Sequence, residues 1–310
     1  MSQEHIPVLL KESIDGLKIR PDGIYVDGTL GMGGHSEAIA ERLQGGLLIA
    51  VDRDDEALEK ARKRLERFGD KIHFIHGNFA DLPAILDDQG VALVDGMLFD
   101  FGVSSPQLDE PERGFSYMHD APLDMRMDRT DTISAWLLVN RWPEKKLETV
   151  LKDFGEERFA RRIAERIVEE RKKYAINSTL QLADIVKKAM PPKALREKQH
   201  PAKRTFQALR IAVNDELGSI DAMMATAPDR LKVGGRLAVI SFHSLEDRIV
   251  KKAIASRENG CTCPREAPVC TCGFVQTLKT ITRKPITAGE DEVRRNPRAR
   301  SAKLRIAERV

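Results

Sequence analysis

The first hundred residues alternate short apolar runs with amphipathic stretches of helical period. Ile24–Asp27 reads as a short buried strand, Leu47–Val51 as a second, Ile72–Ile75 as a third and Met97–Phe99 as a fourth. Between them Ala38, Ile39 and Leu43 recur at helical spacing. Asp54 to Arg67 predicts a charged helix with Ala57, Leu58, Ala61 and Leu65 on one face, and Asp81 to Asp88 a shorter one. Strands alternating with helices at this spacing imply βαβ units and a parallel, doubly wound sheet, hence an α/β fold.

The alternation breaks near Asp109. From there to Gln199 the pattern is turn-rich and helical, with Phe159, Ile163 and Ile167 on one stripe of a helix over Glu156 to Lys173. Ser178 caps a further helix that ends before Pro191-Pro192. The strand pattern resumes at Gly235–Ser241, and Phe274–Thr282 and Ala302–Ala307 are expected to supply the remaining edge strands. The expected organisation is an α/β domain over 1–108 and 201–310 with an all-helical domain, 109–200, inserted into it.

Composition narrows the class. Apolar residues make up 41% of the 310, enough for a sizeable core, and 32% are charged. No apolar stretch approaches the roughly 20 residues needed to span a bilayer, and the first residues lack the basic-then-apolar pattern of a secretory signal. A cytoplasmic address without membrane contact is the expectation. Net charge is only +3, but basic residues gather between Lys198 and Arg210 and from Arg294 onward. Such local patches can bind phosphate in a nearly neutral chain, although solvated surface charge explains each one singly. The four cysteines, Cys261, Cys263, Cys270 and Cys272, fall in one short segment. Four thiolates could close a tetrahedral metal site, but C-x-C pairs are tighter than the usual zinc spacing, so the metal question stays open.

Candidate chemistry begins at the turn Gly31-Met32-Gly33-Gly34-His35, between the first strand and the following helix, where glycines allow a ligand close to the backbone. About twenty residues on, Asp52 ends the second strand, placed to accept from ribose hydroxyls. Dinucleotide enzymes and methyltransferases share both features. The loop departs from G-x-G-x-x-G, and His35 stands where a pyrophosphate site would offer backbone amides. S-adenosylmethionine carries a sulfonium and an amino-acid group in place of a pyrophosphate, and nearby carboxylates favour it. The segment Gly77–Asp81 could hold an adenine, with Phe79 packing on the ring or simply joining the core.

With the run D-G-M-L-F-D-F-G-V-S-S-P-Q-L-D from Asp95 to Asp109 the resemblance becomes specific. This run joins DGTLGMGGH at Asp27, RGFS at Arg113, PLDMRMD at Pro122, HPAKRTFQALR at His200, ISFHSLEDR at Ile240 and NPRARS at Asn296. Together they resemble the bacterial 16S rRNA (cytosine-N(4))-methyltransferase family, in order and over nearly the whole chain. The resemblance implies a class I S-adenosylmethionine-dependent methyltransferase, Rossmann-like, with an inserted helical substrate domain. It also implies methylation of a cytosine amine in the decoding centre of the small ribosomal subunit. Cofactor contacts carry over to Gly33, Gly34, His35, Asp52, Phe79, Asp100 and Gln107. The cysteine segment is a departure not expected in every member.

Beside that resemblance, the end of the fourth strand is where an open α/β sheet does its chemistry. Asp100 is expected to orient cofactor and target amine, with Ser104 or Ser105 as a neighbouring hydrogen-bonding group. On the helix beginning near Lys203, Phe206, Leu209 and Val213 form an apolar stripe, while Lys203, Arg204 and Arg210 could grip phosphates. His243 could border the same pocket. The expected partner is 16S rRNA within the small subunit, with a homodimer left open. Three rivals remain on sequence grounds: a nicotinamide-dependent oxidoreductase, favoured by the generic nucleotide layout, a non-catalytic rRNA-binding assembly factor, and a small-molecule or protein methyltransferase, which fits the cofactor site but leaves the basic tail and the Lys203 region without a purpose.

Overall fold

A computed structural model describes residues 7–263 and 271–310. The chain divides into two compact units, Met1–Gly102 with Leu217–Val310, and Val103–Glu216.

The first unit is built on a sheet whose strands among the described residues are β1 (Ile24–Asp27), β2 (Leu47–Asp52), β3 (Ile72–His76), β4 (Val94–Asp100), β5 (Leu231–Ser241), β6 (Leu278–Thr280) and β7 (Lys303–Arg309). They lie in the order β3-β2-β1-β4-β5-β7-β6. β1 pairs in parallel with β2 and β4, β2 with β3, and β4 with β5. The doubly wound sheet is therefore present, and its direction of growth reverses between β1 and β4, the crevice where open α/β sheets bind ligands. One expectation is corrected: β7 is no edge strand. It runs antiparallel between β5 and β6, with Leu237 opposite Ala307 and Leu278 opposite Arg309, leaving only β6 at that edge.

Burial of both sheet faces explains the nearly continuous apolar runs. Leu48, Ala50, Leu98, Ala238 and Ile240 point into one core, with Ile14 and Leu17 of α1 (Leu10–Leu17), Ile39 of α2 (Gly34–Ala40) and Leu58 and Leu65 of α3 (Asp55–Leu65). The alternate residues Ile49, Val51, Met97, Phe99 and Val239 enter a second core. That core holds Leu82 and Leu86 of α4 (Leu82–Asp88) and, from later in the chain, Met223 and Val250. The period-two alternation of side chains along each strand sends neighbouring residues to opposite layers.

The second unit is helical: α5 (Ser105–Asp109), α6 (Ala135–Arg141), α7 (Glu144–Asp153), α8 (Ala160–Arg171), α9 (Thr179–Ala189) and α10 (Lys203–Asn214). Leu138, Leu147, Leu151, Ile163, Ile167, Leu182 and Val186 form its core. The unit extends beyond 109–200 because Phe206, Leu209 and Val213 of α10 belong to that core, with Val103 and Leu108 packed against it. Back in the first unit follow α11 (Glu216–Thr226), whose first residue closes the helical unit, α12 (Ser244–Asn259) and α13 (Glu290–Arg295).

The RGFS and PLDMRMD motifs lock one loop of the helical unit. The Arg113 side chain, 2% exposed, donates to the Arg126 and Met127 carbonyls. Asn214, equally buried, accepts from the Met127 N–H and donates to the Met125 carbonyl. Gly114 sits at φ 72°, and a Cβ there would lie 2.3 Å from the Pro122 carbonyl oxygen and 2.8 Å from the Asp124 nitrogen. Backbone cannot yield as a flexible side chain can. Gly114→Ala should therefore destabilise the protein by on the order of 2–4 kcal/mol. Denaturant unfolding checks this, and a cost within about 0.5 kcal/mol of zero would refute the account.

Candidate cofactor site at the strand ends

Three strands of the first unit finish on carboxylates at the same end of the sheet: β1 at Asp27, β2 at Asp52 and β4 at Asp100. The glycine turn between β1 and α2 is held to these ends by short bonds. The Gly28 N–H donates to the Leu98 carbonyl at 2.9 Å and the Leu30 N–H to the Val51 carbonyl at 3.0 Å. The Thr29 hydroxyl accepts from the Asp100 N–H at 2.6 Å. Gly31 and Gly33 take φ 50° and 76°, a region that L side chains enter at a cost. A Cβ on Gly34 would stand 2.2 Å from Pro7 Cγ, so this glycine serves packing against the N-terminal segment.

Each acid has a different set of partners. Asp27, 1% exposed, accepts from the Ser36 hydroxyl at 2.7 Å and the Thr29 N–H at 3.1 Å. Asp52 accepts from the Gly31 N–H at 2.7 Å and the Asp54 N–H at 2.9 Å. Asp100 is less well provided: its Oδ1 is buried with no hydrogen-bond partner among the described residues, and its Oδ2 lies 3.8 Å from His35 Nδ1. The His35 ring is fixed from its other side, with Nε2 3.0 Å from the Val8 carbonyl, so Nε2 is the donating nitrogen there.

Burial pushes the Asp27 carboxyl up to about 6 against the pull of its Ser36 and Thr29 bonds. Burial likewise carries Asp52 to about 6, opposed by the Asp54 and Gly31 amides. Asp100 is raised well above the carboxylate range, first by burial and then by the neighbouring charges of Asp27 and Glu246. These residues fit a cationic ligand. A positive charge beside the Asp100 oxygen would supply the missing partner and return all three acids toward their charged state.

Phe79 is half-buried and meets Phe99 edge-on, ring centres 5.9 Å apart, and Phe101 at 5.5 Å. The packing reading is thus met, and its partial exposure still leaves ring surface for a ligand. Asn78 caps the short turn that carries it by accepting from the Ala80 N–H. His243 serves as the N-cap of α12, with the Glu246 N–H directed at its Nδ1 and its Nε2 3.0 Å from Glu246 Oε1. Glu246 in turn accepts from the Phe242 and His243 amides. Sequence reasoning passed over Asp27 and Glu246 as site residues. Asp27 carried a signal, an acid ending the first strand directly before the glycine turn; Glu246 looked like one charge among several on a helix.

The remaining candidates lie in the helical unit. Gln107 is buried, and its side-chain oxygen accepts from the Ser104 N–H, making Ser104 the N-cap of α5. Ser105 opens that helix, and its side chain lies outside the described set. Lys203 is exposed at the start of α10, and Arg204 is half-buried with a bond to the Glu156 carbonyl. Arg210 differs from the open cation expected of it: its guanidinium forms two 2.8 Å bonds to Glu216 of the same unit. A bidentate carboxylate occupies the fork that a phosphate would need.

The raised carboxyls have a consequence for stability. An acid that ionises near 4 when unfolded and near 6 or above when folded contributes stability below about pH 4, and loses it as pH rises through the folded value. Asp100→Asn removes one such charge from the ligand-free protein. Its melting temperature should exceed the wild type's by a few degrees near pH 8, on the order of 1 kcal/mol. The gain should vanish near pH 4. An equal or lower melting temperature near pH 8 contradicts the burial argument.

Comparison with known proteins identifies the family. The family model described as the MraW methylase family matches residues 2–310. A protein of Brevibacillus brevis named ribosomal RNA small subunit methyltransferase H is 52% identical over 311 residues, covering 100% of this chain and 99% of its own. One of the same name from Halothermothrix orenii is 52% identical over 308 residues, with 99% of each chain covered. Among solved structures, an rRNA methylase from Streptococcus thermophilus covers 99% of both chains at 13% identity, with a TM-score of 0.44. The full-length match of the family model, with relatives above half identity, places this chain in the MraW methylase family.

Proposed function

We propose that this chain transfers a methyl group from S-adenosylmethionine to the exocyclic N(4) amine of a cytosine in the decoding centre of 16S rRNA, within the small ribosomal subunit. The observation that carries the reading is the buried Asp100 Oδ1, without a hydrogen-bond partner among the described residues, at the end of β4 beside two further acids and a glycine turn. Small-subunit rRNA as the substrate is supported by the names of relatives that match this chain from end to end. The cytosine, its amine and the decoding centre rest on the family motifs.

Gly33, Gly34, His35, Asp52, Phe79, Asp100 and Gln107 are the residues assigned to the cofactor. When bound, S-adenosylmethionine supplies an electrophilic methyl on a cationic sulfur. The protein's part is chiefly positioning, because the cytosine amine is a weak nucleophile whose lone pair is delocalised into the ring. Placing two reacting groups correctly is worth about 7 kcal/mol or more. Asp100 ends the strand on which the site is assembled, so its carboxylate is assigned to orient the amine by accepting one of its protons. Ser104 and Ser105, at the start of α5, are assigned a supporting hydrogen bond. A strong base is not needed, since the methylated amine is acidic and releases its proton after transfer.

On the helical unit Lys203 and Arg204 are assigned to the RNA backbone. Arg210 is set aside because Glu216 holds it. His243, tied into its own helix cap, is assigned to border the site and to shape it rather than to act as a base.

Transfer of labelled methyl to small subunits lacking the modification tests the reaction, with mapping of the acceptor nucleotide. Asp100→Ala should reduce turnover by about 10²-fold or more while the chain stays folded. Wild-type-like turnover in that variant would remove Asp100 from the chemistry. Binding to small subunits without transfer by the wild type would instead identify an assembly factor. The Lys203→Ala/Arg204→Ala double variant should weaken rRNA binding and lower the slope of log affinity against log salt by about 1.4, two contacts at about 0.7 each. An unchanged slope would count against that surface.

A further inference from the structure

The cysteine segment takes no part in the methyl-transfer reading. It follows the last turn of α12 and precedes edge strand β6. Both flanks are pinned to the first unit. The Thr277 N–H donates to the Arg257 carbonyl, the Thr280 N–H and hydroxyl donate to the Glu258 carboxylate, and Arg257 pairs with Asp229 at 2.8 Å. Between these flanks the sulfurs of Cys261, Cys263 and Cys272 lie within 4.8 Å of one another. Those of Cys261 and Cys272 are 3.6 Å apart.

That spacing is informative. Two thiolates on one tetrahedral zinc, each at about 2.3 Å, stand about 3.8 Å from each other. Three sulfurs gathered from both sides of a segment therefore match one face of such a tetrahedron. A second observation points the same way: the Thr271 N–H donates to Cys263 Sγ at 3.2 Å, with the Thr271 hydroxyl 3.6 Å from the same sulfur. Amide donation to sulfur stabilises a thiolate, the form that binds metal. All-sulfur donor sets favour zinc over hard cations, which prefer oxygen. Cys261 and Cys272 are exposed, so an ion can enter without opening the core.

We propose that Cys261, Cys263 and Cys272 are ligands of a structural zinc ion that ties the start of this segment to its end. The ion sits apart from the strand-end acids and takes no part in methyl transfer. Its contribution is to close a loop whose flanks the fold already holds, so the entropy lost on closure is small. Cys270 lies outside the described residues.

Elemental analysis of the full-length protein, produced with zinc in the medium and purified with a reductant but no chelator, should find about one zinc per chain. A mercurial thiol reagent should release it. The Cys261→Ser/Cys263→Ser/Cys272→Ser variant should lose the metal and keep its circular dichroism and its S-adenosylmethionine affinity. Cobalt substitution provides an independent readout on the wild type, with thiolate-to-cobalt absorption in the near ultraviolet expected. Zinc well below stoichiometry together with no cobalt band would overturn the proposal, and so would zinc retained by the triple variant.

Discussion

Charge buried at the ends of apolar strands is the constraint around which the first unit is arranged. β1, β2 and β4 are packed on both faces, and each terminates on an aspartate, Asp27 buried and Asp52 and Asp100 half-buried. Desolvation is the largest effect on all three, and it outweighs the bonds that Asp27 and Asp52 receive. A fold selected for stability alone would not concentrate like charges there. The arrangement makes sense as a site that a cationic ligand stabilises by offsetting these like charges. Asp100 gains most from such a ligand, because among the described residues no donor reaches its buried Oδ1.

The same constraint discriminates between nucleotide cofactors. A pyrophosphate would bring negative charge against three acids, and it would need the turn's amides as donors. The Gly31 N–H of that turn is already committed to Asp52 at 2.7 Å. His35 is turned away to the Val8 carbonyl through one nitrogen and toward Asp100 through the other. A sulfonium and an amino group reverse each of these penalties. The oxidoreductase reading fails on electrostatics at the residues that first suggested it.

How much of this could be read in the sequence follows from the range of the interactions involved. The strands, the glycine turn and Asp52 and Asp100 at their strand ends were legible because they depend on local period and on neighbours in the chain. Arg210 was not, since its guanidinium looks open until α10 stops at Asp215, which takes φ 45°, and the chain turns Glu216 back onto it. The place of β7 was not legible either. Nothing in a short apolar run says whether it adds at an edge or inserts beside β5, and that is decided by pairings some 60–70 residues apart. The reach of the helical unit was hidden for a related reason: the apolar stripe of α10 fits any core, and only packing shows that it serves the helical one.

Family motifs divide along the same line between chemistry and scaffolding. DGTLGMGGH and the segment that carries Asp100 supply two of the three strand-end acids and the turn between β1 and α2. RGFS and PLDMRMD do something else: Arg113 and Asn214 spend their polar groups on the backbone at Met125, Arg126 and Met127. HPAKR is mixed. His200 stacks on Tyr117 at 4.4 Å with the rings 8° from parallel, which joins this motif to the residues just after RGFS, while Lys203 stays exposed. A motif rich in arginine and histidine is easily taken for an RNA-binding surface. Here Arg113 and Arg126 are occupied in fixing loops and Arg210 is held by Glu216, so basic residues within a motif are no evidence by themselves of an RNA-binding surface.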